Sequence, residues 1–129
     1  MNKIIFTIIG GFLISSLISP IYISEVDAEI KYNYELAEWI NKLSFAESTN
    51  RENIVIVDSN GKNSYGCLQF QKATFVAYSK KHNIKGDIMS CKTQKELASA
   101  MIKDKHNNWR HWFNSTKKIG KPPVYIETA

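Results

Sequence analysis

Residues 36–70 read LAEWINKLSFAESTNRENIVIVDSNGKNSYGCLQF, and this stretch decides the fold. Its first part carries apolar side chains at the i, i+4 and i+7 spacing of an amphipathic helix: Leu36, Ile40 and Leu43. The spacing predicts a helix over about residues 34–46. One further turn of the same stripe reaches Glu47. The sequence therefore predicts a carboxyl group on the apolar side of this helix, at its C-terminal end, where an unpaired anion is costly.

A short β-hairpin is predicted directly after this helix. Residues 54–57 read IVIV, a β-branched run, and Asn60-Gly61 follows shortly afterwards. This dipeptide after a β run is a strong signal for a hairpin turn. Residues 63–65 are then the predicted returning strand.

Three helices are predicted after the hairpin. The first covers about residues 71–81 and has three apolar members: Phe75, Val76 and Tyr78. The second begins at a capping box, residues 93–96, and continues to about Lys103. Its predicted buried stripe consists of four residues: Leu97, Ala98, Met101 and Ile102.

The last predicted helix is short and aromatic. It contains Trp109, Trp112 and Phe113, and it ends near Gly120, before two prolines that prevent its continuation. The predicted fold class is therefore α+β and predominantly helical, with one small β-hairpin after the first helix.

The N-terminus has a composition of its own. Lys3 supplies a positive charge, and residues 4–23 contain no charged side chain. Val26-Asp27-Ala28 then resembles a signal-peptidase site. We predict a signal peptide over residues 1–28, with an uncleaved membrane anchor as the alternative, which would make residues 4–23 the only contact with a membrane. Residues 29–129 form one predicted domain, which is secreted or held in the cell envelope.

The chain is small and positively charged. Its 129 residues suit one domain, and its net charge is +5, from 17 basic and 12 acidic residues. A positive exported domain is suited to anionic polymers such as a bacterial wall. The lysines are scattered and no nucleic-acid-binding motif is present, so a nucleic acid partner is not expected. The three histidines are dispersed and lack a metal-binding motif, so we expect neither a metal nor a cofactor.

The chain has two cysteines, Cys67 and Cys91. An even number in an oxidising compartment permits one disulfide. Such a bridge would close a loop of about 25 residues and stabilise the fold by roughly 3 kcal/mol in the chain-entropy model. Two buried free thiols are the alternative, because the sequence contains no geometry that decides between them.

Three patches of the chain resemble the lysozyme-like superfamily, which includes lysozymes and proteins with a soluble lytic transglycosylase (SLT) domain. Ala46-Glu47-Ser48 looks like the E-S that closes the catalytic helix. Residues 59–70 resemble the hairpin segment that leads into Y-G-x-L-Q-I, and residues 108–112 resemble the N-x-W-x-x-W helix of animal-type lysozymes. The three patches follow the family's order and cover most of residues 36–115.

The resemblance implies a lysozyme-like fold and an enzyme that cleaves peptidoglycan. The expected substrate bond is the β-1,4 linkage between N-acetylmuramic acid and N-acetylglucosamine, with Glu47 as the catalytic acid. A glycosidase acid must still be protonated near its working pH, and burial against apolar groups achieves this by raising the carboxyl pKa. The expected partner is the glycan strand of peptidoglycan, and the expected oligomeric state is a monomer.

The resemblance also assigns substrate-binding residues. Gln69 would hydrogen-bond the glycan, Ser64 and Tyr65 lie beside it in the hairpin segment, and Trp109 would stack near the catalytic carboxyl. Structural roles remain open for these side chains. Gln69 suits hydrogen bonds to hairpin backbone groups equally well, Tyr65 suits core packing, and Trp112 is expected to pack in the core.

The second carboxylate departs from the lysozyme pattern. Animal-type lysozymes have an Asp before the Tyr-Gly of the hairpin, where this chain has Ser64. Asp58, at the turn, is the better substitute, and Glu52 is the other nearby acidic residue. Lytic transglycosylases need only one Glu, because the 6-hydroxyl of the sugar attacks intramolecularly and yields an anhydro product.

We therefore favour a lytic transglycosylase at this point. The usual downstream A-x-x-Y-N motif of that class is missing, and the tryptophan pair stands in its place. A hydrolytic muramidase that uses Asp58 is the alternative within the same class of enzyme. A catalytically inactive wall-binding module is the alternative from a different class.

Overall fold

The computed structural model describes residues 20–127, which are predominantly helical with one small antiparallel sheet. The predicted α+β class is confirmed. In chain order the elements are α1 (Pro20–Ser48), β1 (Val55–Val57), β2 (Asn63–Tyr65), β3 (Phe70–Gln71), α2 (Lys72–His82), α3 (Cys91–Asp104), a 3-10 helix (His106–Trp112) and α4 (Phe113–Ile119). Residues 34–124 form one compact unit, and the described part of a second unit comprises residues 20–33 and 125–127.

Helix α1 begins earlier than the apolar spacing predicts. It starts at Pro20 instead of near Tyr34. Proline is favourable in the first turn of a helix because the amide there has no intrahelical partner. The Val26-Asp27-Ala28 segment lies within this helix, while residues 1–19 of the predicted signal peptide lie outside the described residues. Within residues 20–127, no helix has the length and apolar character needed to span a membrane.

The predicted hairpin is confirmed, and a third strand extends it. Strands β1 and β2 are antiparallel, with Val55 opposite Tyr65 and Val57 opposite Asn63. The turn between them is closed by a 2.9 Å hydrogen bond from the amide of Gly61 to the carbonyl of Asp58. Strand β3 pairs with the other edge of β2, so the order in the sheet is β1-β2-β3. Because β3 has only two residues, it carries no period that a sequence pattern can reveal.

The core of the larger unit forms where the predicted apolar stripes of α1 and α3 are buried. Both stripes are confirmed by the burial of seven side chains: Leu36, Ile40, Leu43, Leu97, Ala98, Met101 and Ile102. The segment after the hairpin adds Leu68 and Phe70 to this core. On α2, Phe75 is buried as expected, whereas Val76 is exposed.

The predicted start of α3 is wrong by a few residues. The N-cap is Ser90, whose hydroxyl accepts a 3.3 Å hydrogen bond from the amide of Thr93. Thr93 and Gln94 therefore lie in the first turns of the helix, and both are buried. Cys91 and Lys92 belong to the helix although they do not extend its apolar stripe, which explains why the pattern begins too late.

The C-terminal aromatic helix consists of the 3-10 helix followed by α4. The element ends at Gly120, as predicted, where φ is 87° and a residue with a side chain would be strained. The indole nitrogen of Trp39 donates a 2.9 Å hydrogen bond to the carbonyl of Gly120. This bond fixes the end of α4 to the C-terminal half of α1.

Candidate active site

Glu47 lies in the wall of a cavity of about 480 Å³. The lining comes from three parts of the chain: the end of α1, the stretch from the hairpin turn to the start of α2, and residues 110–115. Asp58, Ser64 and Gln69 line the same cavity. The structure thus brings together four of the residues that the sequence singled out.

The Glu47 carboxyl is half-buried, and its pKa is raised above the ordinary glutamate value. Burial is the main cause, because it disfavours the charged form, and the negative charge of Asp58 acts in the same direction. A hydrogen bond with the Ser115 hydroxyl and the positive charge of Lys118 partly offset the rise in pKa. The carboxyl therefore keeps its proton to higher pH than an exposed glutamate and is suited to donate it.

Ser48 holds the end of the Glu47 helix against residues 66–70, which we call the floor segment. The Ser48 side chain is buried, and its hydroxyl donates a 2.8 Å hydrogen bond to the carbonyl of Cys67. The same oxygen accepts a 3.1 Å hydrogen bond from the amide of Arg51. The serine of the E-S pair therefore has a structural role that fixes the position of the carboxyl before it.

Gln94 supports the floor segment from α3. Its side-chain amide donates a 2.7 Å hydrogen bond to the carbonyl of Tyr65 and accepts a 2.7 Å hydrogen bond from the amide of Leu68. Gly66 passes directly over this amide with φ of 73°, and a Cβ at this position would overlap the Gln94 side chain. The glycine of the Y-G-x-L-Q pattern is therefore required both by its backbone conformation and by this close approach.

Sequence reasoning missed the role of Gln94. Its partners are backbone groups of Leu68, in the floor segment, and of Tyr65, just before it, which lie 26 and 29 residues away in the chain. The signal in the sequence was its place on the apolar stripe of α3, three residues before Leu97 and four before Ala98. That spacing indicates burial, but it does not show which groups the side-chain amide bonds.

Gln69 occupies a strained position in the floor segment. Its φ is 52°, and its side-chain amide donates a 2.8 Å hydrogen bond to the carbonyl of Gly66. The structural role left open for this residue is therefore present, and Gln69 also lines the cavity. Next to it, the carbonyl of Leu68 accepts a 2.8 Å hydrogen bond from the indole of Trp112.

The structure contains the disulfide that the sequence permits. Cys67 and Cys91 are bonded, with their Cα atoms 5.5 Å apart. The bridge joins the floor segment to the first residue of α3. The floor segment is therefore tied to α3 both covalently and through the hydrogen bonds of Gln94.

Asp58 is held by two neutral side chains. The Gln71 amide donates a 2.8 Å hydrogen bond to its Oδ2 atom, and the Ser64 hydroxyl donates to the same oxygen. Ser64 is only 2% exposed, so its hydroxyl serves Asp58 within the wall of the cavity. Ser64 thus positions a carboxylate in the wall of the cavity.

Two of the predicted substrate-binding residues are not in the cavity lining. Trp109 is buried and stacks on Phe113, with ring centroids 6.1 Å apart, and Trp112 lines the cavity instead. Trp112 is also buried against Phe70, so its expected core packing is confirmed, whereas Trp109 does not line the cavity. Tyr65 lines a separate depression together with Lys62 of the hairpin and Lys72 of α2.

Within residues 20–127, no group of three or more His, Cys, Asp or Glu side chains is placed to hold a metal ion. Comparison of the chain with protein-family models, curated proteins and solved structures finds no match. The case for a function therefore rests on the side chains of the cavity.

Proposed function

We propose that the chain is a glycosidase of the lysozyme-like kind that cleaves the β-1,4 bond between N-acetylmuramic acid and N-acetylglucosamine in peptidoglycan. The observation that carries the proposal is the Glu47 carboxyl in the cavity wall, with its pKa raised by burial. Glycoside cleavage needs a proton on the leaving oxygen, and a carboxyl that stays protonated can supply it. Access to a bacterial wall agrees with the signal peptide predicted over residues 1–28.

The remaining lining suits a sugar chain. A volume of about 480 Å³ is within the usual range of ligand sites. The lining includes hydroxyl and amide side chains that can bond sugar hydroxyls: Ser59, Asn60, Gln69, Gln71, Thr74 and Asn114. Phe113 also lines the cavity with its ring half-exposed, and an aromatic ring offers an apolar surface to the face of a pyranose.

In the favoured reaction the enzyme is a lytic transglycosylase. Glu47 protonates the glycosidic oxygen while the bond from that oxygen to C1 of the muramic acid residue breaks. The resulting Glu47 carboxylate then takes the proton of the 6-hydroxyl, whose oxygen forms the new bond to C1. The product is a 1,6-anhydro end, no water is consumed, and one carboxyl is sufficient. The serine at the position of the lysozyme Asp agrees with this route.

Hydrolysis is a second candidate because Asp58 lines the same cavity and its charge affects the Glu47 pKa. In this route Glu47 again protonates the leaving oxygen. Asp58 assists a water molecule, which supplies the new oxygen at C1, and the product has a reducing end. The hydrogen bonds from Ser64 and Gln71 would hold Asp58 in place for this task.

The test is mass spectrometry of the fragments that the protein releases from purified peptidoglycan, together with the variants Glu47→Gln and Asp58→Asn. Anhydro ends that vanish in Glu47→Gln and persist in Asp58→Asn identify a lytic transglycosylase. Reducing ends that vanish in both variants identify a hydrolase. No release from several wall types, with wall binding intact, would mean that the chain is a wall-binding module and that the glycosidase proposal is wrong.

A further inference from the structure

The C-terminal side of the cavity differs in charge from the rest of its wall. Residues 105–121 contain five Lys or Arg residues and no Asp or Glu. The acidic residues of the described lining, Glu47 and Asp58, come from α1 and from the hairpin. A substrate in this cavity therefore meets negative charge on one side and positive charge on the other.

Arg110 lies in the wall of this cavity, and the positive charge of Lys118 also acts on Glu47. Among the described residues that line the cavity, Arg110 is the only Lys or Arg. The guanidinium carbon lies 5.6 Å from the ring centroid of Trp109, which is buried and therefore a fixed support. Contact with an aromatic face limits the orientations of a guanidinium group and leaves its N–H groups free for a ligand.

Arg110 has no acidic partner within the described part of the chain. The nearest acidic residue along the chain, Asp104, is paired with Lys81, and Glu96 is paired with Lys92. Lys117 and Lys121 also lie over aromatic rings, but they are not among the described residues that line the cavity. The ammonium of Lys117 lies 4.5 Å from the ring centroid of Phe113, and that of Lys121 lies 5.2 Å from the ring centroid of Trp109.

We infer that Arg110 binds a carboxylate of the substrate strand. The inference rests on the proposed function, since it concerns the same cavity. A guanidinium group presents two parallel N–H donors that match the two oxygens of a carboxylate. Glu47 and Asp58 repel such a group, so a strand would bind with its carboxylate toward Arg110. Arg110 would thereby set the direction in which the strand lies across Glu47.

Peptidoglycan offers this carboxylate from two sources. In intact strands it belongs to the peptide stem, and in strands without stems it is the lactyl carboxylate of muramic acid. Oligomers of N-acetylglucosamine have neither. These three ligands therefore separate recognition of a carboxylate from recognition of the sugar chain.

The experiment measures dissociation constants for the three ligands by titration calorimetry. It uses the full chain as Glu47→Gln, which prevents turnover, with and without Arg110→Gln. Loss of the charged hydrogen bonds should weaken binding by about tenfold. A loss confined to intact strands identifies the stem as the source, and a loss confined to stripped strands identifies the lactyl group. A loss on both shows that Arg110 binds either carboxylate. Binding of the N-acetylglucosamine oligomer should not change.

Two further variants act as controls. Arg110→Lys keeps the charge but not the paired donors, and it should restore part of the affinity. Lys103→Gln removes one positive charge from an exposed position at the end of α3 and should change nothing. Equal losses on all three ligands, unchanged binding, or no binding of any ligand would overturn the inference.

Cleavage assays on the chain with Glu47 intact keep the two proposals apart. Carboxylate binding that depends on Arg110 in a chain that cleaves nothing would refute the glycosidase and leave the present inference standing. Normal cleavage by a chain whose ligand binding does not depend on Arg110 would support the glycosidase and refute the role of Arg110.

Discussion

The two carboxylates of the cavity stand on regions that are built differently. Glu47 ends a helix beside the floor segment, where Cys67 and Leu68 are fully buried. Asp58 follows β1, a strand whose three side chains are all exposed. One region is enclosed by the core, and the other projects from it.

The difference shows two ways in which a protein can adapt a carboxyl group: one changes its pKa, and the other fixes its position. Glu47 obtains its raised pKa from burial, which requires a rigid and well-packed surrounding. Asp58 has hydrogen bonds from Ser64 and Gln71, which fix the position of the group within an exposed arm. Proton donation depends on the first kind of environment, and placement of a charge depends on the second.

The largest expected effect comes from removing the carboxyl of the buried region. Glu47→Gln keeps the shape of the side chain but has no proton to donate, so the cleavage rate should fall by about 10²–10⁴-fold. Glu38→Gln, at an exposed position of the same helix, is the matched control and should retain full activity. Release of muropeptides at equal enzyme concentration measures both. Full activity of Glu47→Gln would show that Glu47 is not the proton donor, and the two carboxylates would then not differ in function as proposed.

The second largest effect is expected on stability, when the hydrogen bonds of Gln94 that support the floor segment are removed. Gln94→Leu leaves buried backbone groups of Tyr65 and Leu68 without partners, and the free energy of unfolding should fall by about 3 kcal/mol. Val57→Thr changes an exposed side chain of the hairpin and should alter stability by less than about 0.5 kcal/mol. Urea denaturation measures both. Equal effects would show that the hairpin is as tightly built as the floor.

A smaller effect is expected from the hydrogen bonds that hold Asp58. Ser64→Ala removes one donor to Asp58 while the Gln71 amide remains, so the free energy of unfolding should fall by about 1 kcal/mol. Ser59→Ala, at the exposed turn, is the control and should be neutral. The same urea titrations decide the result. If the free energy of unfolding fell as much as in Gln94→Leu, Ser64 would be as important for stability as the support of the floor segment.

The smallest effect is a pH dependence of stability. Because the Glu47 pKa is raised on folding, the native state binds more protons than the unfolded state above the ordinary glutamate pKa. This contribution makes stability fall as pH rises through that window, and it is absent in Glu47→Gln. The melting temperature of Glu47→Gln should therefore rise relative to that of the original chain as the pH increases above the ordinary glutamate pKa of about 4.3. An opposite drift would mean that the Glu47 pKa is lowered instead.

The helices and the hairpin were predictable because their signals are local. The spacing of Leu36, Ile40 and Leu43 requires only neighbouring residues, and Asn60-Gly61 forms its turn within four residues. Glu47 was found by the same periodicity, since the stripe of α1 leads to it. The start of α3 was misplaced because Ser90 caps the helix from outside the apolar pattern.

The assembled wall of the cavity was not predictable in the same way. Gln94 acts on backbone groups more than 25 residues away, so nothing near it in the chain marks its role. Trp109 and Trp112 are three residues apart and equally apolar. Only the packed structure shows that the Trp112 indole bonds Leu68 and lines the cavity.

The hydrogen bond between the Trp112 indole and the Leu68 carbonyl makes Trp112 an intrinsic fluorescent probe of the cavity. Indole emission depends on the hydrogen bonding and polarity around the ring, and Trp112 is the one tryptophan in the described lining of the cavity. Trp39 and Trp109 lie elsewhere, so they contribute a background that single Phe replacements can subtract. Occupation of the cavity should therefore register as a change in intrinsic fluorescence, which gives ligand binding a readout that needs neither label nor turnover.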